Sequence, residues 1–379
     1  MASPTRRAWL DSLRVAAGPW LVARLLVFGL IVFERARHDR SLWYGAIPNH
    51  IWPSHYLASL YTWDGVWYLN IATNGYGPKH SEEVHFFPLL PMSVKALAVV
   101  TSLTPPVAML VVCWIAALLF GAALHRLVVL ETGDIRAAGR AAWLSQLAPG
   151  AFVLVMGYTE GLAGLLAVLY FLAIRQDKPV LGFITGLASG IVRPTGVLLA
   201  LAGTVEAARG LRTWREAPLR FLRELLVAGA PPLGLVGFLV YSKVHQGSFG
   251  APYTLQLTGG NRGGTVVNPF PTAFNILTHG GGNGGMLSIE LLIASVPLLW
   301  VACRRLPPSY TAWAVPSFIL AVTAQGFASL PRYASGVFPL LIAAALLTTT
   351  WRRWAWTLGI SSVLMIYFAY LGFTSAGVP

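Results

Sequence analysis

Three observations predict an all-helical, polytopic membrane protein. Hydrophobic residues form 56% of the 379 and charged residues only 11%, against about 25% charged in soluble domains, and mean hydropathy is +0.64. Apolar runs of helical length recur along the chain, as membrane helices require. The basic residues, which give a formal net charge of +13, sit in short clusters between those runs. Such clusters mark loops held on the cytoplasmic side. A nucleic-acid surface would gather them on one soluble face, so no nucleic-acid partner is expected.

The first apolar stretch follows Arg6, Arg7, Asp11 and Arg14. No A-x-A-type cleavage site ends it, so it reads as a retained helix over 17–33 and not as a signal peptide. Residues 34–106 then read as a large first outer loop, polar and aromatic as far as Phe87. Within it, 88–103 carries Pro88, Pro91 and Lys95 and reads as a helix lying at the interface. Further runs lie at 107–129, 141–157, 160–174, 179–193, 195–208, 224–242, 286–302, 310–327, 333–350 and 354–372. Together they predict a bundle of about eleven transmembrane helices.

Alternating these spans from an inside N-terminus puts Arg126, Arg136 and Arg140, then Arg175 and Lys178, then Arg209, Arg212, Arg215, Arg220 and Arg223, and finally Arg304, Arg305, Arg352 and Arg353 on one side. That bias decides the run from Pro179 to Ala208. As one span it would throw the five-arginine loop outside. As a hairpin turning at Arg193-Pro194-Thr195-Gly196 it keeps that loop inside, and Pro and Gly suit a turn. The C-terminus then lies outside. Residues 244–285 read as a Gly-rich outer loop, and no repeat divides 1–379, which reads as a single integral membrane domain.

This topology gathers unusual polar residues on the outer side. Trp63, Asp64, Trp67, Tyr68, Ile71 and Ala72 recur at the spacing of an amphipathic interfacial helix, with Asp64 at its start, where a carboxylate can cap it. His38, His50, His55, His80 and His85 crowd the same region. None pairs at the i, i+4 spacing of a zinc helix, and the two cysteines, Cys113 and Cys303, form no disulfide or zinc framework. No metal ligands are assigned. Tyr158 and Glu160, Arg193, and Arg332 with Tyr333 fall at later outer turns. Charges at membrane depth pair or function, so Glu160 is expected beside Arg193 or Arg332. A guanidinium fork also matches phosphate oxygens, which makes Arg193 and Arg332 candidates for holding a lipid-borne phosphate. Arg24, inside the first span, is a third candidate.

At these residues the chain resembles a family. WDGVWYLNIATNGYG (63–77) and HFFPLLP (85–91), then PGAFVLVMGYTEGL (149–162), GLASGIVRPTG (186–196) and LPRYASGVFP (330–339), look like the ordered blocks of the PIG-V-type mannosyltransferases. These are the glycosylphosphatidylinositol mannosyltransferase 2 family with its bacterial relatives, within the GT-C membrane glycosyltransferases. The resemblance implies a GT-C-like bundle and a polyprenyl- or dolichyl-phosphate-linked sugar donor carrying mannose. It also implies inversion at the anomeric carbon and no nucleotide sugar. It places the essential acidic residue at Asp64. Many GT-C enzymes carry a second acid close by, but Val66 stands two residues on, so a divalent metal is left open and no other cofactor is expected. Glu82 and Glu83 are nearby alternatives.

The expected chemistry has Asp64 as general base, Arg193 and Arg332 on the donor phosphate, and Trp63, Trp67, Tyr68, His85, Tyr158, Glu160 and Tyr333 about the substrates. The acceptor is a hydroxyl of a glycan, glycolipid or protein. A lipid or solute transporter, or a non-catalytic subunit of a glycosylation complex, are the rival readings. Ala, Arg, Leu and Gly richness points to a bacterial plasma membrane, with the site on the outer face.

Overall fold

The computed structural model describes residues 4–37, 57–78, 81–211, 215–258, 267–280, 282–323, 327 and 329–374. His38, His50, His55 and His80 of the first loop, Arg212, and the glycines 259, 260, 263, 264 and 281 lie outside the described residues. The described elements are helices: α1 (Pro4–Arg37), α2 (Asp64–Asn74), α3 (Leu89–Thr101), α4 (Pro105–Thr132), α5 (Ile135–Leu147), α6 (Glu160–Arg175), α7 (Pro179–Val192), α8 (Leu199–Gly210), α9 (Pro218–Gln246), α10 (Ala251–Thr258), α11 (Pro269–His279), α12 (Gly282–Arg305), α13 (Pro308–Val322), α14 (Leu330–Gly336), α15 (Phe338–Leu347) and α16 (Trp351–Phe373), with short 3-10 turns between them.

Among the described residues, five helices are long and apolar enough to cross a membrane: Arg6–Glu34, Pro105–Thr132, Pro218–Gln246, Gly285–Arg305 and Trp351–Phe373. The protein is therefore an integral, multi-pass membrane protein. The expected eleven spans are not reached on length and composition. α6, of 16 residues, and α7, of 14, rise only about 24 and 21 Å at 1.5 Å per residue, short of a hydrocarbon core of about 30 Å. The run read as one span over 333–350 is α14 and α15, bent by 75° at Val337. Pro339, in the first turn of α15, cannot donate the backbone bond that would continue α14.

The hairpin at 193–196 is present. Gly196 at the turn lies against Ser189 and Gly190 near the end of α7, while Gly203 further along α8 and Gly182 near the start of α7 both press on Val227–Ala228 of α9, so α7 and α8 run antiparallel. A Cβ on Gly196 would lie 1.7 Å from Ser189 O, so the turn can fold back onto α7 only with glycine there. Arg175, Lys178, Arg209, Arg220 and Arg223 share one cleft at the opposite end of this pair, as the basic-loop pattern requires. At that end Arg175 locks four helices. Its Nε meets Glu131 Oε1 at 2.6 Å, Nη1 meets Glu206 Oε1 at 2.8 Å, and Nη2 donates to Ser309 Oγ at 2.8 Å.

Candidate active site at the α2–α14 junction

α2 begins under constraint. Its N-cap is Trp63, at φ 60° and ψ −123°, and Asp64 is the first helical residue. Left-handed backbone at a bulky residue costs about 1–3 kcal/mol and persists only where its surroundings hold it. Here the Trp63 indole Nε1–H donates to Gly372 O of α16 at 2.8 Å. The Tyr158 hydroxyl accepts from Asp64 N–H at 3.2 Å and donates to Thr62 O at 3.3 Å. Gly65 packs backbone to backbone on Gly157, whose N–H donates to Leu60 O at 2.8 Å. The strain thus fixes where the Asp64 carboxylate points.

It points at an arginine 268 residues away. Arg332 Nη1 donates to Asp64 Oδ2 at 2.8 Å, and Nη2 donates to the Tyr333 hydroxyl at 2.9 Å. Arg332 Nε and Arg193 Nη1 each lie 3.3 Å from Glu160 Oε1. The guanidinium of Arg332 also lies over the rings of Tyr158 and Tyr333, and that of Arg193 over Tyr333. Arg332 and Glu160 side chains are only 5% exposed, Arg193 18% and Asp64 24%. Two carboxylates and two guanidiniums cancel in charge, which lets the cluster stay buried. Burial, reinforced by the Asp64 carboxylate, pushes the Tyr158 and Tyr68 phenols well up, so both remain hydrogen-bond donors.

A cavity of about 520 Å³ opens beside this cluster. Glu160, Arg193, Arg332 and Tyr333 form its polar end, while residues such as Leu154, Ala163, Val197, Trp313 and Leu320 line an apolar body. Asp64 stands behind Arg332, one hydrogen bond from that lining. The close approach depends on Gly150: a Cβ there would lie 2.1 Å from Pro331 O, and Gly150 N–H donates to Ser335 Oγ at 2.9 Å.

Of the residues singled out in the sequence, the fold brings Asp64, Tyr158, Glu160, Arg193, Arg332 and Tyr333 together, with Tyr68 joined through Thr159. The capping expected of Asp64 gives way to Trp63 as the cap. The ion pair expected for Glu160 forms with both arginines. Trp63 reaches α16, Trp67 stacks on Phe86 at 5.8 Å, and His85 Nδ1 meets Pro252 O of α10. Arg24 bonds Trp20 O and Leu154 O, a packing role. Glu83 accepts from Asn70 Nδ2 and Gly77 N–H, both at 2.6 Å, so it braces the end of α2. Sequence reasoning missed Tyr253, which lines the cavity from α10; nothing in the glycine-rich surroundings marks it. Among the described residues, no three His, Cys, Asp or Glu side chains gather as a metal would need.

Residues 41–203 match the model of the mannosyltransferase (PIG-V) family. Four of the five blocks named above fall in that range, and the fifth, carrying Arg332, lies beyond it, so Arg332 enters the site on geometry. In fold the chain is similar to ArnT from Cupriavidus metallidurans bound to undecaprenyl phosphate, with a TM-score of 0.51 and 16% identity over 97% of this chain and 76% of that one. It is similar, at a TM-score of 0.49 and 14% identity, to the apo oligosaccharyltransferase of Archaeoglobus fulgidus, over 96% of this chain and 56% of that one. The chain thus spans little more than half the length of the archaeal enzyme. No curated protein matches the sequence.

Proposed function

We propose that this protein is a membrane glycosyltransferase that moves a hexose, mannose by its family, from a polyprenyl-phosphate carrier to an acceptor hydroxyl. The observation that carries the reading is the junction of Asp64 with Arg332 at 2.8 Å, beside an apolar cavity whose polar end holds two arginines. An isoprenoid chain suits the apolar body, and its phosphate suits the guanidiniums, whose planar forks match phosphate oxygens. The family match over 41–203 supports the sugar. The solved neighbour of similar fold holds undecaprenyl phosphate.

In the reaction, an Asp64 oxygen takes the proton of the acceptor hydroxyl as that oxygen bonds to the anomeric carbon. The bond from that carbon to the phosphate oxygen breaks, and its electron pair leaves with the polyprenyl phosphate. Arg193 and Arg332 stabilise the charge that develops there. Attack opposite the departing phosphate inverts the anomeric carbon. Arg332 serves both groups, so phosphate entering the cavity competes with Asp64 for it and frees the base only when donor is present. The cations at the far end of α7 and α8 support a site on the non-cytoplasmic face.

Asp64→Asn tests the base. In native membranes supplied with undecaprenyl-phosphate mannose labelled in the sugar, we expect transfer of label per folded protein to fall by about 100- to 10,000-fold. Near-normal transfer by the variant would refute the assignment. Label that crosses the membrane still attached to its lipid would identify a transporter instead.

A further inference from the structure

Glu160 is almost wholly buried and lines the cavity, yet neither of its carboxylate oxygens accepts a hydrogen bond among the described residues. Oε1 has only the two charge contacts of 3.3 Å to Arg193 and Arg332. Oε2 has no hydrogen-bonding partner among the described residues. A buried carboxylate without donors is costly, and its place in a cavity wall marks where a ligand can supply one. The two ligand parts already assigned to the cavity cannot do so. Phosphate oxygens accept, and an isoprenoid chain has no donor. A sugar hydroxyl does donate.

We infer that Glu160 accepts a hydrogen bond from the transferred sugar, through the hydroxyl on carbon 2. This deepens the proposed function and rests on it. The arginines that would hold the phosphate also hold Glu160, so the carboxylate stands beside the phosphate site. In a sugar joined to phosphate at carbon 1, the hydroxyl closest to that linkage is the one on carbon 2. The position has a catalytic consequence. As the bond to phosphate breaks, positive charge grows at carbon 1 and the neighbouring hydroxyl becomes a better donor. A hydrogen bond there strengthens toward the transition state. Glu160 is then both a determinant of sugar specificity and a contributor to rate.

The test compares undecaprenyl-phosphate mannose with its 2-deoxy and 6-deoxy analogues as donors to the wild-type protein in proteoliposomes made with native membrane lipids. We expect kcat/KM to fall about 100-fold or more for the 2-deoxy donor, because a site built to bond a hydroxyl rejects the analogue lacking it. The 6-deoxy donor should lose less than about 10-fold. Removing the carbon-2 hydroxyl makes a glycosyl donor intrinsically more reactive, so a loss there reports the protein. In Glu160→Gln the preference for the hydroxyl should collapse toward unity. Wild-type protein that uses the 2-deoxy donor as well as the parent overturns the inference, with no variant needed. So does Glu160→Gln that keeps the full preference. Wild-type protein that transfers from no donor overturns the proposed function and this inference together, whereas transfer indifferent to carbon 2 overturns this inference alone.

Discussion

In the proposed mechanism Arg332 has two jobs, and one pair of substitutions separates them. Arg332→Leu removes the donor to Asp64 Oδ2 at 2.8 Å and the charge 3.3 Å from Glu160. At about 4 Å and an effective dielectric of about 20, each attraction is worth about 4 kcal/mol before desolvation is counted. The leucine no longer bears the arginine's desolvation, so the net cost of stranding buried carboxylates is about 3–5 kcal/mol. The variant should unfold at a clearly lower temperature. Adding Asp64→Asn neutralises the carboxylate that lost the 2.8 Å bond, while Glu160 keeps Arg193 at 3.3 Å. The double variant should therefore recover roughly half of that loss, about 1.5–2.5 kcal/mol. Transfer should behave in the opposite way. Losing a donor to the developing phosphate charge costs about 100- to 1,000-fold, and losing the base removes more, so the double variant should be no more active than the worse single one. Thermal unfolding of purified protein in nanodiscs, set beside transfer rates from undecaprenyl-phosphate mannose, reads both quantities. If transfer returns together with stability in the double variant, the pair is structural and the mechanism above is wrong.

Arg175→Leu should destabilise by a similar amount, about 3–5 kcal/mol, because Glu131 and Glu206 lose their shared cation; specific transfer by the folded fraction should stay the same, as unfolding and rate measured on one preparation will show. Leu320→Trp fills part of the cavity of about 520 Å³ and should raise KM for a long polyprenyl-phosphate donor more than for a short-chain analogue, which steady-state kinetics with the two chain lengths can check. Gly150→Ala puts a methyl about 2.1 Å from Pro331 O and should displace Arg332, cutting transfer. Gly139→Ala, with nothing within 4 Å, should leave transfer intact and stabilise α5 by about 0.5–1 kcal/mol.

Apolar periodicity made the helices legible, and the basic clusters made their sidedness legible. The turn at 193–196 could be read because its alternative would have moved five arginines. The number of complete spans could not, since a run such as 160–174 looks the same in sequence whether it crosses lipid or packs as a short helix against longer neighbours. The break at Val337 was hidden by its neighbours: Gly336, Phe338 and Pro339 sit in a run too apolar to look like a bend. The stretch 244–285 was read by its glycines. It nevertheless contains α11, announced by Asn268 and Pro269, whose Asn268 side chain accepts from Phe270 N–H at 3.0 Å. Phe270, Phe274 and Leu277 of that helix are exposed, as suits a helix at a lipid surface. Of the site, the charges and their partnership were legible, since intramembrane Glu and Arg must pair. The direct bond between Asp64 and Arg332 was not, because 268 residues of chain separate them and only packing brings them together.

What brings them together is a set of residues without charge. The segment 149–160 is the hub. Gly157 receives Gly65 and bonds Leu60, Tyr158 bridges Thr62 and the Asp64 N–H, Gly150 admits Pro331 and bonds Ser335, and Glu160 meets both arginines. The helix that carries Asp64 and the last broken pair therefore dock on one stretch of backbone, through contacts that a side chain larger than hydrogen would open. Motif glycines and prolines in such a chain carry mechanism as directly as its acids and arginines. The electrostatics also requires this order. A carboxylate and a guanidinium placed loosely would pair with water or with each other at the surface. In the proposed mechanism, held rigidly beside the cavity, they stay poised for a phosphate that can take the arginine and leave the carboxylate its proton to accept.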